Sequence, residues 1–149
     1  MTAVLDPKTE ARCRASFARQ QAMTTIGATV EKVAAGEVVL AMPFSEKLTQ
    51  QHGFIHGGVV TMLADTACGF AALSLMPDDA AVLTTEFKIN LLAPAKGERF
   101  IASGRVVRPG RKLIVCLGEV FAEDGGKRKQ VALMTASMIV VDTATGLKD

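Results

Sequence analysis

Apolar residues recur with a helical period at the start and in the middle of the chain, and with a period of two elsewhere. Asp6-Pro7 reads as a helix start, a cap residue followed by proline at the first helical position. The pattern predicts a helix from about Lys8 to Met23, within an N-terminal segment 1–23. Ala11, Ala15, Ala18 and Ala22 share one face of it, and Phe17 lies near that face. Thr25 to Val33 and Glu37 to Pro43 read as two strands, joined by a turn at Ala34-Ala35-Gly36. Ser45 to Ile55 is a polar loop. Gly57-Gly58 then opens an apolar segment that runs to Met76 and is stopped by Pro77-Asp78-Asp79. Val59, Val60, Met62, Leu63, Ala64, Ala67, Cys68, Phe70, Ala71, Leu73 and Leu75 leave nearly every side of this helix apolar. That pattern predicts a buried helix.

The rest of the chain alternates. From Ala81 to Leu92, Thr84, Glu86, Lys88 and Asn90 fall on one face and Thr85, Phe87, Ile89 and Leu91 on the other. Phe100 to Val107 is a further strand. Pro109-Gly110 turns into Leu113 to Phe121, and Asp124-Gly125-Gly126 turns into Gln130 to Val141. The last strands follow one another too closely to admit helices between them, which excludes a doubly wound sheet. An antiparallel sheet around one central helix satisfies the order, so the expected class is α+β.

Composition narrows the function. The chain has 149 residues, 49% of them apolar, and a formal net charge of +2. One domain over 1–149 is expected, large enough to bury about 68–70% of its unfolded surface. The apolar content argues against disorder. The balanced charge argues against nucleic acid as a partner. Cys13, Cys68 and Cys116 form no metal or CxxC pattern, which fits a reduced compartment. Met1 to Arg19 lacks the apolar stretch of a secretory signal, and Asp6 and Glu10 count against a transit peptide. No uninterrupted apolar run reaches the ~18 residues of a membrane span. A cytoplasmic protein without membrane contact is the expectation.

The candidate chemistry lies in His52-Gly53-Phe54-Ile55-His56-Gly57-Gly58 and in Asp65. Two glycines at a helix start leave backbone N–H groups uncovered, and the helix dipole adds partial positive charge there. Such a terminus can polarise a carbonyl. Asp65 sits within an otherwise apolar helix, where an unpaired carboxylate is costly and its pKa tends upward. It pairs with a distant Arg or Lys, caps an irregular turn, or does chemistry. Among its helical neighbours only Thr61 could hydrogen-bond it. Asp65 lies eight residues beyond Gly57, ~12 Å along the helix, so a site using both groups needs two chains. His52 and His56 stand four apart, but no third ligand is evident, and no metal is expected.

The run Gln51 to Gly58 with Asp65 resembles the PaaI-like branch of the hotdog-fold acyl-CoA thioesterases. Thr84 to Asn90 leading to Pro94-Ala95, the turn Val107 to Arg111, and the strand Val131 to Val141 add to the match. The resemblance covers about Gly27 to Val141. It implies a curved antiparallel sheet wrapped around a long central helix (57–76). It implies a homodimer with sites at the subunit interface, often paired into a dimer of dimers, a homotetramer. It also implies hydrolysis of an acyl-CoA thioester without a cofactor. By position, Gly57 supplies an N–H to the thioester carbonyl, with Gly58 beside it. His56 positions the thioester or leaving sulfur. Asp65 of the partner subunit is base or nucleophile. Thr84 orients the water, with Thr85 the alternative one register away. Many members carry Asn six residues before the histidine; Gln50 stands there in this chain.

Arg105, Arg108, Arg111 and Lys112 surround the Pro109-Gly110 turn. Two readings stand together: a solvated hairpin, or contacts from Arg108 and Arg111 to CoA phosphates. Lys127-Arg128-Lys129 reads as solvated surface, and Cys68 as core. Met62, Phe70, Leu73, Leu75 and Met76 are candidate acyl-pocket residues. All seven aromatic residues are Phe, which weighs against a strongly stacking aryl site. Medium-chain, long-chain and aryl acyl groups all stay open. The rival to a hydrolase is a non-catalytic acyl-CoA-binding module, which would keep the Gly57-Gly58 terminus but would not need Asp65.

Overall fold

The computed structural model describes residues 4–149. Helix α1 spans Pro7–Ala18 and α2 Gln21–Ile26; β1 (Thr29–Ala34) and β2 (Glu37–Pro43) follow. Helix α3 covers Gly57–Leu73, then come β3 (Ala81–Leu91), β4 (Arg99–Arg108), β5 (Leu113–Asp124) and β6 (Lys127–Val141). All strand pairs are antiparallel, in the order β1-β2-β4-β5-β6-β3. Bulges interrupt the register in four of the five pairs, which bends the sheet. Helix α3 packs across one face, chiefly on β4. The α+β class and a long central helix are as expected, but the helix ends at Leu73, not Met76: Leu75 and Met76 donate to the carbonyls of Ala72 and Leu73 in tighter turns.

The helix lies unusually close to the sheet, and two glycines make that possible. A Cβ at Gly104 on β4 would stand 2.3 Å from the carbonyl carbon and oxygen of Ala67. One at Gly118 on β5 would stand 2.9 Å from Cys68 Sγ. The helix answers with small residues there: Ala64, Ala67, Cys68 and Ala71 are fully buried. Larger side chains fill the flanks, including Leu40, Met42, Leu63, Phe100, Met134 and Met138.

Four expectations change in the N-terminal half. The first helix breaks at Arg19-Gln20, and α2 resumes until Gly27, which ends it with φ of 71°. The break re-aims the chain so that Met23 and Ile26 enter the core. Thr25 therefore belongs to a helix, and β1 begins only at Thr29. The alanine face of α1 points outward; Cys13, Ser16 and Phe17 face inward, with the Phe17 ring edge-on to Phe70 at 5.8 Å. Asp6 caps α1 through its backbone carbonyl, not its side chain.

Arg12 has a role no motif announces. Its guanidinium donates to the carbonyls of Leu73 (2.8 Å), Met76 (3.2 Å) and Pro77 (2.6 Å). A cation thus closes the C-terminal end of α3, where orphan carbonyls and the negative end of the dipole lie.

Gly104→Ala is expected to cost about 1–3 kcal/mol, because backbone stands where the Cβ must go. Thermal melts should show a drop of roughly 2–4 °C for each kcal/mol. Gly69→Ala is the contrast: nothing lies within 4 Å of its Cβ position, so helix propensity should make it neutral or stabilising.

Candidate active site

Asp65 projects from α3 towards β3. The Thr84 hydroxyl donates to Asp65 Oδ1 at 2.8 Å and lies 3.2 Å from Met138 Sδ. No ion pair reaches Asp65 among the described residues, so the structural-pair reading lapses. Thr61 does not serve it either, since its hydroxyl donates to the Gly57 carbonyl at 2.7 Å. Burial pushes the Asp65 carboxyl above its ordinary 3.8, and the Thr84 hydrogen bond pulls more weakly the other way.

The register of β3 decides which threonine meets the carboxylate. A bulge lies between Thr84 and Glu86, where the pairing with β6 shifts by one residue. Thr85 turns to donate to the Ser137 carbonyl at 3.1 Å. Strict alternation would put Thr84 and Leu91 on opposite faces. The bulge puts both against α3: Thr84 on Asp65, Leu91 on Gly57.

The other half of the site is the N-terminus of α3. His56 caps it, with Nδ1 accepting the Gly58 N–H at 2.8 Å. That bond puts the ring proton on Nε2, leaving a donor on an exposed ring. It also closes the Gly58 N–H to substrate. Among the described residues the Gly57 N–H has no acceptor. A Cβ at position 57 would stand 2.6 Å from Leu91 Cδ1, so glycine fits while Leu91 keeps its place. Gln50 Oε1 accepts the N–H groups of His52 and Phe54 and closes the turn before the helix. Its amide nitrogen remains for other work. Gly53 in that turn has φ of 82°.

These halves open into different cavities. Asp65 and Thr84 line one of about 390 Å³, with Arg19, Gln20, Phe70 and Lys148. Gly57 and Gln50 line one of about 440 Å³, with Phe54, Leu91, Leu92 and Val131. One chain therefore does not bring the carboxylate to the free N–H. Arg108 and Arg111 are exposed at the turn between β4 and β5, at the sheet end where β3 begins, and line neither cavity.

Of the expected acyl-pocket residues, Phe70 lines the Asp65 cavity. Leu73 and Met76 are core, Leu75 packs near Gly36, and Met62 is partly exposed. Leu91, Met138 and Gln20 carry no motif and were invisible beforehand; only a resolved bulge shows that Leu91 faces the helix. The cysteines are buried and free. Burial pushes the Cys116 thiol up to about 12 and raises Cys13 and Cys68 too, so none is a ready nucleophile. No group of three or more His, Cys, Asp or Glu among the described residues could hold a metal ion. Among the described residues no helix is long and apolar enough to cross a membrane.

Fold and site together define a hotdog architecture with an open N–H at a helix terminus and a half-buried carboxylate. Residues 52–129 match the thioesterase superfamily, and the chain belongs to that family. It is similar to a solved thioesterase family protein from Silicibacter pomeroyi, at 47% identity and TM-score 0.89, over 90% of this chain and 98% of that one. The E. coli PaaI protein shares the fold, at 22% identity and TM-score 0.83, over 92% and 96% of the two chains. A relative from Halobacterium salinarum carrying an esterase name is 39% identical over 59% of this chain, a match spanning 61% of that protein. The 1,4-dihydroxy-2-naphthoyl-CoA hydrolase of Listeria monocytogenes is 30% identical over 58% of this chain and 71% of its own length.

The raised Asp65 pKa makes a stability prediction. Its contribution to stability is complete below the ordinary 3.8 and is lost as pH rises through the raised value. Asp65→Asn should therefore melt above wild type at pH 7, and the gap should close towards pH 3. Equal melting temperatures across that range would contradict a buried, unpaired charge.

Proposed function

We propose that the chain is a homodimeric acyl-CoA thioesterase whose sites are each shared between two subunits. The observation that carries this is Asp65: half-buried, without a cationic partner among the described residues, and held by one hydroxyl. A binding module has no use for so costly a group. The CoA substrate class is supported by the name of the Listeria relative and by the family.

The long edge strand β3 supports the dimer. Its outer ladder is unpaired, and Leu83, Phe87, Leu91 and Leu92 are exposed along it. An exposed apolar edge of this length is a pairing surface. Antiparallel pairing centred between Phe87 and Lys88 puts Thr84 opposite Leu91 of the partner subunit. Thr84 carries Asp65 and Leu91 touches Gly57, so the same operation joins carboxylate and N–H across the interface.

The chemistry then needs little. The Gly57 N–H polarises the thioester carbonyl, helped by the helix dipole. The Nε2–H of His56 holds the thioester or the departing sulfur. Asp65 of the partner subunit, with Thr84 of that same subunit, either aims and deprotonates a water or attacks the carbonyl itself. Carbonyl addition and loss of the thiolate give free acid and CoA. The Gln50 amide is available to the substrate from the Gly57 side. The protein acts as an intracellular enzyme with no cofactor of its own.

Wild type should release CoA thiol from members of an acyl-CoA panel, and Asp65→Asn should lower kcat by about 10²–10⁴-fold. An unchanged rate in the folded variant sinks the assignment. Co-expressing Asp65→Asn with Gly57→Pro tests the shared site. Each homodimer should be inactive, while the heterodimer regains one intact site. A dead heterodimer would place both groups in one chain.

A further inference from the structure

The basic run Lys127-Arg128-Lys129 is not an ordinary solvated face. With Lys96 it lines a groove of about 600 Å³, together with Phe54, Pro94, Ala122 and Asp124. Phe54 and Pro94 also line the Gly57 cavity, so the two spaces meet at these side chains. The four cations differ in their engagement. Arg128 donates to Glu123 at 2.6 Å and lies over the Phe121 ring, 5.5 Å from its centroid. Glu123 is also held by Arg99. Lys96, Lys127 and Lys129 make no ion pair among the described residues. The facing carboxylate is Asp124. In a chain of net charge +2 this is a local concentration of unspent positive charge.

Its spacing from the reaction centre fits a particular shape of ligand. On β6, Ala132 pairs with Leu91, whose side chain touches Gly57. Lys129 lies three residues earlier, ~10 Å along the strand. Pantetheine, two amide-linked units and a cysteamine, is as long as about four extended residues when stretched, so it covers that span with slack. A thioester carbonyl at Gly57 would leave the far end of that arm among the lysines. We propose that Lys96, Lys127 and Lys129 form the binding site for the nucleotide phosphates of the CoA thioester, on the subunit that supplies Gly57. This rests on the thioesterase reading above. It moves phosphate recognition away from Arg108 and Arg111, which line neither this groove nor the site cavities.

The test compares two substrates with the same acyl group. Acyl-CoA carries the nucleotide; acyl-pantetheine does not. In the Lys96→Ala/Lys127→Ala/Lys129→Ala variant, KM for acyl-CoA should rise about tenfold, the scale of three exposed charge contacts together. Its kcat should hold, and acyl-pantetheine kinetics should not move. Added salt should shrink the difference. Calorimetry with adenosine 3′,5′-bisphosphate reads the same site without turnover: wild type should bind it and the variant should lose it. An unchanged KM for acyl-CoA overturns the proposal. So does an equal rise for both substrates, or a CoA-specific rise in Arg108→Ala/Arg111→Ala instead. If wild type hydrolyses neither substrate, the thioesterase reading fails, and the calorimetry alone decides the phosphate site.

Discussion

The near contact between the backbone of α3 and two sheet glycines governs the rest of the molecule. Gly104 and Gly118 let the helix settle where a Cβ would collide with Ala67 and Cys68. At that distance the helix can offer only small residues to β4 and β5. The larger groups leave along its flanks, and one flank carries Asp65 to β3. A helix held a side chain further away would carry Asp65 away from Thr84. Packing density and the Asp65–Thr84 contact thus have a common origin.

The helix is also held at both ends by side chains of opposite electrical character. His56 accepts an N–H at the positive end, and Arg12 donates to carbonyls at the negative end. Each satisfies groups that a buried helix cannot leave exposed to apolar surroundings. The His56 bond also fixes the ring tautomer and leaves one glycine N–H open while closing the next. The capped N–H and the open one therefore belong to adjacent residues.

Much of this was legible beforehand, because local chemistry set it. Glycine pairs and Pro-Gly marked the helix start and the hairpins, and a lone carboxylate on an apolar helix marked Asp65. The eight-residue gap to Gly57 already required two chains for a shared site. What escaped depends on contacts distant in sequence. The α1–α2 break serves Met23 and Ile26, whose burial no local pattern announces. Arg12 finds its carbonyls some sixty residues away. Thr24 and Thr25 favour strands by type, yet lie in a short helix that the tertiary structure imposes. Lys127 to Lys129 look like any charged turn until Lys96 and Phe54 are seen beside them.

The bulge at Thr85 acts as a phase shift in the code of the edge strand. Before it, the inward positions are even-numbered, Val82 and Thr84; after it they are odd, Ile89 and Leu91. Sequence constraint along β3 must change parity at one residue. Flattening the bulge while keeping Thr85 would rotate one half of the strand away from the helix, whereas deleting Thr85 would leave both halves facing it. Thr85 is thus a position the ladder does not count, and each half of β3 is held to the helix by its own parity on either side of it.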